Sequence, residues 1–258
     1  MLSYFRSKEK TVFDKLGFKL DQNGILKRYL RESEAWAPHL KKTKEVILNQ
    51  SETKLKNKVA ILGSGWLLDI PIVELASQFT EVWLFDVRHP SQVKQQVSKL
   101  ENVKKIETDI SGLALPIYDL VNQKHQPKNA IEHLTPGFNF NLSEFDFVVS
   151  CNLMNQLDIF LLDYILEHIR LSHEDETTLR HLIQQTHLNL LPPEKSCLIT
   201  DIEEIWINKK DEITGQKQLI FTKFPDNSIF DEWIWHFDNH YNYHNHCKTW
   251  LKVVASRI

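Results

Sequence analysis

The sequence predicts an α/β fold in which helices cover a mostly parallel sheet. Three observations predict it. Short apolar runs alternate with helical patterns from Lys58 to about Pro193. Each run ends in polar residues, as strands do when their carboxyl ends line a cleft. From Glu203 onward the helical period disappears, and strand-like runs separated by turns take over.

The elements follow in order. Residues 1–50 read as helical, with Ile25, Leu26, Tyr29, Leu30, Leu40 and Ile47 at apolar positions and Pro38 opening a second helix. Residues 49–57 read as a polar linker. Lys58-Val-Ala-Ile-Leu62 is a buried strand, followed by Gly63-Ser64-Gly65 and then a helical face of Ile72, Leu75, Ala76 and Phe79. The second strand, Glu81-Val-Trp-Leu-Phe-Asp86-Val87, ends in an acid. Pro90 to Leu100 forms a helix with Val93, Val97 and Leu100 inward. The third strand begins at Val103 and ends at Asp109-Ile110-Ser111-Gly112. Residues 122–142 carry Pro127, Pro136 and Gly137 and read as a long loop. The fourth strand, Phe145 to Val149, ends at Ser150-Cys151-Asn152 with Asn155 and Gln156 beyond. Two helices fill 157–191, divided near Ser172 and ended by Pro192-Pro193. Cys197 to Thr200 is the fifth strand, ending at Asp201. Glu203–Ile207, Lys217–Thr222, Glu232–His236 and Thr249–Ala255 are the runs of the β-rich tail.

Strand, glycine turn and helix bring bare backbone up to a nucleotide-like ligand. Asp86 lies 86 − 65 = 21 residues past Gly65, the usual place for a carboxylate that accepts from ribose hydroxyls. The glycine pair and Asp86 also suit an NAD(P)-dependent oxidoreductase. Leu68 stands where the dinucleotide fingerprint needs its third glycine and opposes that reading.

The series from about Lys58 to Asp201 resembles the class I S-adenosylmethionine-dependent methyltransferases. The resemblance implies a Rossmann-like, mostly parallel seven-stranded sheet with an antiparallel C-terminal hairpin, preceded by an N-terminal helical segment. It implies a cap and linker over 1–57 and a methyltransferase-like domain over 58–258. Gly63, Ser64 and Gly65 match the loop beneath the methionine part of the cofactor. Asp86 and Val87 match the ribose site, Asp109 and Ile110 the adenine site. Ser150, Cys151 and Asn152 match the segment facing cofactor methionine and substrate. Asn152, Asn155 and Asp201 are the candidate catalytic residues: the side-chain amides, with that of Gln156, orient an acceptor without titrating, and Asp201 either orients a substrate or is a strand-end turn residue. The competing role for the asparagines is a helix cap, and Asp69 is a second candidate cap. The chain departs from the family at Ile61, where an acid is usual, and at Leu67, where a small residue is common. A methyltransferase-like binding module without catalysis is the remaining alternative.

The chain has 258 residues, 42% of them hydrophobic and 25% charged, as in an ordinary globular domain. Cys151, Cys197 and Cys247 offer no disulfide frame, and Met1–Arg6 has no signal-peptide core, so a cytoplasmic location is expected. Asp163 breaks the longest apolar stretch, so no membrane partner is expected. Residues 1–58 hold 14 Lys and Arg against 7 Asp and Glu, a local balance of +7 within an overall −3. RNA is therefore a possible partner, although a solvated helix face explains the charge more simply, and a small-molecule substrate is favoured. Tyr29, Trp36 and His39 are candidates for the substrate opening, with packing against the core as the alternative of equal weight. The tail from His236 to Cys247 is rich in histidine but follows no standard zinc spacing, so no metal is expected.

Overall fold

Strands β1 (Lys58–Leu62), β2 (Glu81–Asp86), β3 (Val103–Glu107), β4 (Phe147–Cys151) and β5 (Ser196–Ile207) form where the apolar runs predict them. They are seen in a computed structural model that describes residues 11–16, 18–123, 130–244 and 246–258. β6 (Ile213–Gln218), β7 (Ile229–Asp238) and β8 (Lys248–Arg257) complete one sheet of order β3-β2-β1-β4-β5-β8-β7, with β6 paired to β5. The first five strands are parallel; β8 is antiparallel to β5 and β7 antiparallel to β8.

Both faces of the parallel part are covered, which is why its central strands read as unbroken apolar runs. Successive residues face opposite ways. Val59, Ile61, Leu84 and Val149 pack with Trp36 and Ile47 of helix α1 (Phe18–Ser51) and Leu75 of α2 (Ile72–Gln78). Ala60, Leu62, Val148 and Leu198 pack on the other side with Phe145 and Leu188. Fully burying one Leu or Ile contributes roughly 1.5–3 kcal/mol, so these two layers hold the sheet. Helix α3 (Ser91–Val97) buries Val93 and Val97 as predicted. Helices α4 (Ala114–Val121), α5 (Leu157–His168) and α6 (His173–Leu190) share a further core that includes Ile117, Leu161 and Ile183. Ser172 starts α6 with a capping box to Asp175.

Four expectations are corrected. The break in α1 falls at Glu32 (φ −106°, ψ 17°), not at Pro38, which lies inside the helix. Tertiary bonds set it: the Glu32 carboxylate, 1% exposed, accepts from the Asn239 N–H at 3.2 Å and pairs with His240 Nδ1 at 2.7 Å. Pro38 falls early in the segment that restarts there, where its ring removes one hydrogen bond. The predicted linker starts late, because α1 runs on to Ser51, whose hydroxyl donates to the Leu48 carbonyl. The fifth strand does not end at Asp201. A bulge between Asp201 and Glu203 interrupts the alternation, and β5 continues to Ile207. Its second half pairs with β6, which makes eight strands rather than seven and occupies the connection where a helix is usual.

Candidate functional site

The sheet changes direction between β1 and β4, the position where open α/β sheets hold ligands beyond their carboxyl ends. A cavity of about 490 Å3 lies there. Its walls include Gly63, Ser64 and Gly65 after β1, Asp86 and Val87 at the end of β2, and Asp109 and Ile110 after β3. They continue through Cys151, Asn152 and Asn155 after β4 and Asp201 in β5.

The glycine turn is held in left-handed backbone. Gly63 has φ +74° and Gly65 φ +46°. A Cβ on Gly63 would lie 3.0 Å from the Leu153 Cβ, which places the β1 turn against the segment after β4. A Cβ on Gly65 would meet nothing nearer than the Gly63 carbonyl at 3.8 Å, so the space before it is open. Leu67 also has positive φ, +57°. The chain therefore reaches α2 only at Ile72, after Pro71, and Asp69 does not cap that helix.

Asp86 is 7% exposed and ties the turn to β2. Its Oδ2 accepts from the Gly65 N–H at 2.7 Å and its Oδ1 from the Arg88 N–H at 3.3 Å. Burial pushes its pKa up to about 6 in spite of those amides. Asp109 has work of its own. Its Oδ1 accepts from the Ser111 N–H and hydroxyl, at 2.8 and 2.6 Å, and its Oδ2 from the Ala114 N–H at 2.8 Å, at the start of α4. Burial raises its pKa also. Ile110, 3% exposed, is next to it. Ser64 is buried and its hydroxyl faces His89 Nδ1 at 3.3 Å. His89 Nε2 lies 3.3 Å from the Ile106 carbonyl, which fixes the ring proton there and keeps His89 in an internal loop role.

After β4, neither asparagine caps α5; the cap position is Gln156, whose side chain makes no cap bond and donates instead to the Asn152 carbonyl at 2.7 Å. Asn152 stands at φ +48° and its Nδ2 donates to Asp69 Oδ2 at 2.7 Å, while Asn155 Nδ2 donates to Asp201 Oδ2 at 3.2 Å. The Cys151 thiol points to Asp69 Oδ2 at 3.3 Å, and burial pushes its pKa well up. Burial pushes Asp201 up to about 7, with Asp69 and Glu204 adding repulsion. Trp233 Nε1 donates to His39 Nδ1 at 3.0 Å. Burial lowers the His39 pKa to about 3, so the ring is neutral and its proton is on Nε2. That nitrogen lies 3.1 Å from the same end of the Asn152 amide that faces Asp69. An ionised Asp69 calls for the amide nitrogen there; a protonated Asp69, together with His39, calls for the oxygen.

The structure thus brings Asn152, Asn155 and Asp201 together, on the same sheet edge as Gly63. It brings Trp36 and His39 to the cavity, whereas Tyr29 only packs against Trp36, ring centres 5.9 Å apart. Sequence reasoning missed Asp69, Glu204, Trp235 and Phe237, which also line the wall. The signal for the aromatics is the period of two in Trp233, Trp235 and Phe237 on β7. The tail histidines are dispersed: His236 stacks on Trp250, His244 on Trp206, and His240 pairs with Glu32. Among the described residues, no group of three or more His, Cys, Asp or Glu is placed to hold a metal ion. No described helix is long and apolar enough to cross a membrane.

No protein-family model matches the chain, and no curated protein matches it. Solved structures similar to it include the N-methyltransferase NodS from Bradyrhizobium japonicum in complex with S-adenosylhomocysteine. It is 9% identical with a TM-score of 0.38, over 84% of this chain and 86% of that one. Another is the Burkholderia thailandensis 1,6-didemethyltoxoflavin-N1-methyltransferase, 9% identical with a TM-score of 0.40, over 92% and 87%. A third is an S-adenosylmethionine-dependent methyltransferase from Clostridium acetobutylicum, 10% identical with a TM-score of 0.38, over 84% and 92%. At such scores the likeness is one of outline, and the assignment of architecture rests on this chain's own strand order. A parallel β3-β2-β1-β4-β5 sheet with β8 inserted antiparallel between β5 and β7 is a Rossmann-like fold of the methyltransferase kind.

Proposed function

We propose that the chain binds S-adenosylmethionine and transfers its methyl group to a small molecule. One observation carries the reading. The Gly65–Asp86 bond stands in the wall of a cavity that Asn152, Asn155 and Asp201 also line. Asp86 would accept from the ribose hydroxyls, Val87 and Ile110 would flank the base, and Asp109 would share its free lone pairs with the adenine amino group. The open space before Gly65 fits the methionine part. Asp69 supplies a carboxylate near Asn152, which compensates for Ile61, itself fully buried in β1. The cofactor, when bound, supplies an activated methyl on a sulfonium, so the chain's residues need only orient the acceptor and exclude water.

The loop geometry opposes a dinucleotide. α2 begins seven residues after Gly65 (72 − 65), so no helix N-terminus stands at the glycines to receive a pyrophosphate. Pairing of the N-terminal lysines favours a small molecule over RNA: Lys42 pairs with Asp231 at 2.7 Å and Lys58 with Glu144 at 2.7 Å. Trp36 and His39 in the cavity wall support α1 as the cap over the acceptor. The test is a thermal shift. S-adenosylhomocysteine at about 100 times its Kd should add roughly 2.7 kcal/mol of stability. A shift with NADH and none with S-adenosylhomocysteine contradicts the proposal.

A further inference from the structure

Asp201 is 2% exposed, lines the cavity, and its Oδ1 has no hydrogen-bond partner. Its other oxygen is taken by Asn155. The outward end of the Asn152 amide, assigned as Oδ1, is also buried without a partner, and so is Trp235 Nε1 in the aromatic wall. Native proteins leave few buried polar atoms unpaired, and the Asp201 and Asn152 atoms, both of residues lining the cavity, point to a polar ligand group that completes them. Their chemistry is specific. With Asp69 ionised, the outward end of the Asn152 amide is its oxygen; that oxygen and Asp201 Oδ1 are then two acceptors that call for a group with at least two N–H donors, and a carboxylate calls for a cation.

The cavity's charge agrees. Six acidic side chains line it against three permanent cations, Arg28, Arg180 and Lys217. Arg180 is already bound to Asp158 at 2.8 Å, and the Arg28 guanidinium lies over the rings of Phe237 and Tyr243 at 4.6 and 4.8 Å. His39 is neutral and stacked flat on Trp235, ring centres 3.9 Å apart. An anionic acceptor would be repelled, and an alcohol has a single donor. The Trp36–Trp235 edge contact, ring centres 4.7 Å apart, gives the same pocket a flat apolar wall.

Resting on the methyltransferase reading, we propose that the acceptor is a small amine with an aromatic or flat apolar body, its nitrogen on Asp201 and Asn152 and its body against Trp235. Before the transfer the bound ammonium gives one proton to Asp201 Oδ1, which frees the nitrogen lone pair; that pair then forms the N–C bond to the methyl group as the C–S bond breaks. The electron pair of the C–S bond goes to sulfur, and the product leaves as the methylated ammonium cation.

Three probes of one shape test this: 2-phenylethylamine, 2-phenylethanol and phenylacetate, titrated calorimetrically into the protein saturated with S-adenosylhomocysteine. The amine should bind at least tenfold more tightly than the alcohol, and phenylacetate more weakly than either. Asp201→Asn should remove the amine preference while leaving affinity for S-adenosylhomocysteine unchanged, which also shows that the variant is folded. Should the variant not fold, the order of the three probes on the unmodified protein decides. Equal or better binding of the alcohol or the acid, or no amine binding while S-adenosylhomocysteine binds, overturns the acceptor assignment alone. Failure of S-adenosylhomocysteine to bind overturns the reading beneath it.

Discussion

The Gly65 N–H donates to Asp86 Oδ2 at 2.7 Å, so one carboxylate both closes the turn after β1 and ends β2. The bond explains why a glycine and an acid 86 − 65 = 21 residues apart function as one feature. Left-handed backbone at Gly65 directs the amide at β2, and burial of Asp86 keeps a strong acceptor at the cavity wall.

Asp86→Ala should weaken binding of S-adenosylhomocysteine by about 1.5–3 kcal/mol, the usual loss when a charged hydrogen bond is removed. The Gly65 N–H also loses its partner, so a modest loss of stability accompanies it. Isothermal titration with a denaturation curve separates the two. Unchanged affinity in the variant removes Asp86 from the ribose site.

Gly65→Val places a branched side chain at φ +46°, a region that costs an L-residue about 1–2 kcal/mol, and fills the open space before the turn. Binding should be lost with the fold retained. Full affinity in the variant shows that no ligand approaches this backbone.

Asn152 combines a left-handed backbone with a side chain bound to Asp69, and two substitutions separate these roles. Asn152→Gly relieves the backbone and should fold nearly as well as the parent, while Asn152→Ala should lose about 1 kcal/mol. Both should reduce turnover more than cofactor affinity. Normal kcat in the glycine variant leaves the side chain without a part in transfer.

Asp201 makes a prediction for stability against pH. Its folded pKa, about 7, lies above the ordinary value of 3.8, so the folded chain holds this proton more tightly than the unfolded chain. Its contribution is therefore present below about pH 4 and lost as pH rises through 7. Asp201→Asn should match the parent near pH 4 and exceed it at pH 8, by on the order of 2–4 kcal/mol. Melting curves across that range check the sign. A variant that is less stable at pH 8 contradicts a buried, poorly satisfied carboxylate.

The parallel strands were legible because strands buried on both faces must be apolar throughout, as Val59–Leu62 and Phe147–Val149 are. Gly63, Gly65 and Asp86 were legible because backbone constraint and strand ends leave a spacing in the chain. The break at Glu32 was not, since it depends on Asn239 and His240, about 207 residues away. Asp201 read as a strand end because a bulge and a buried carboxylate look the same as a turn in one sequence. Asp69, Glu204 and Trp235 meet only when β5 and β7 are laid beside the loop after β1, a relationship no local pattern encodes.

The most direct measurement is calorimetric titration of the unmodified protein with S-adenosylhomocysteine, NADH and NADPH under the same conditions. The account predicts one saturable site for S-adenosylhomocysteine, lost in Gly65→Val, and no binding of either nicotinamide dinucleotide. No heat with S-adenosylhomocysteine, or a saturable site for NADH abolished by Gly65→Val, contradicts it.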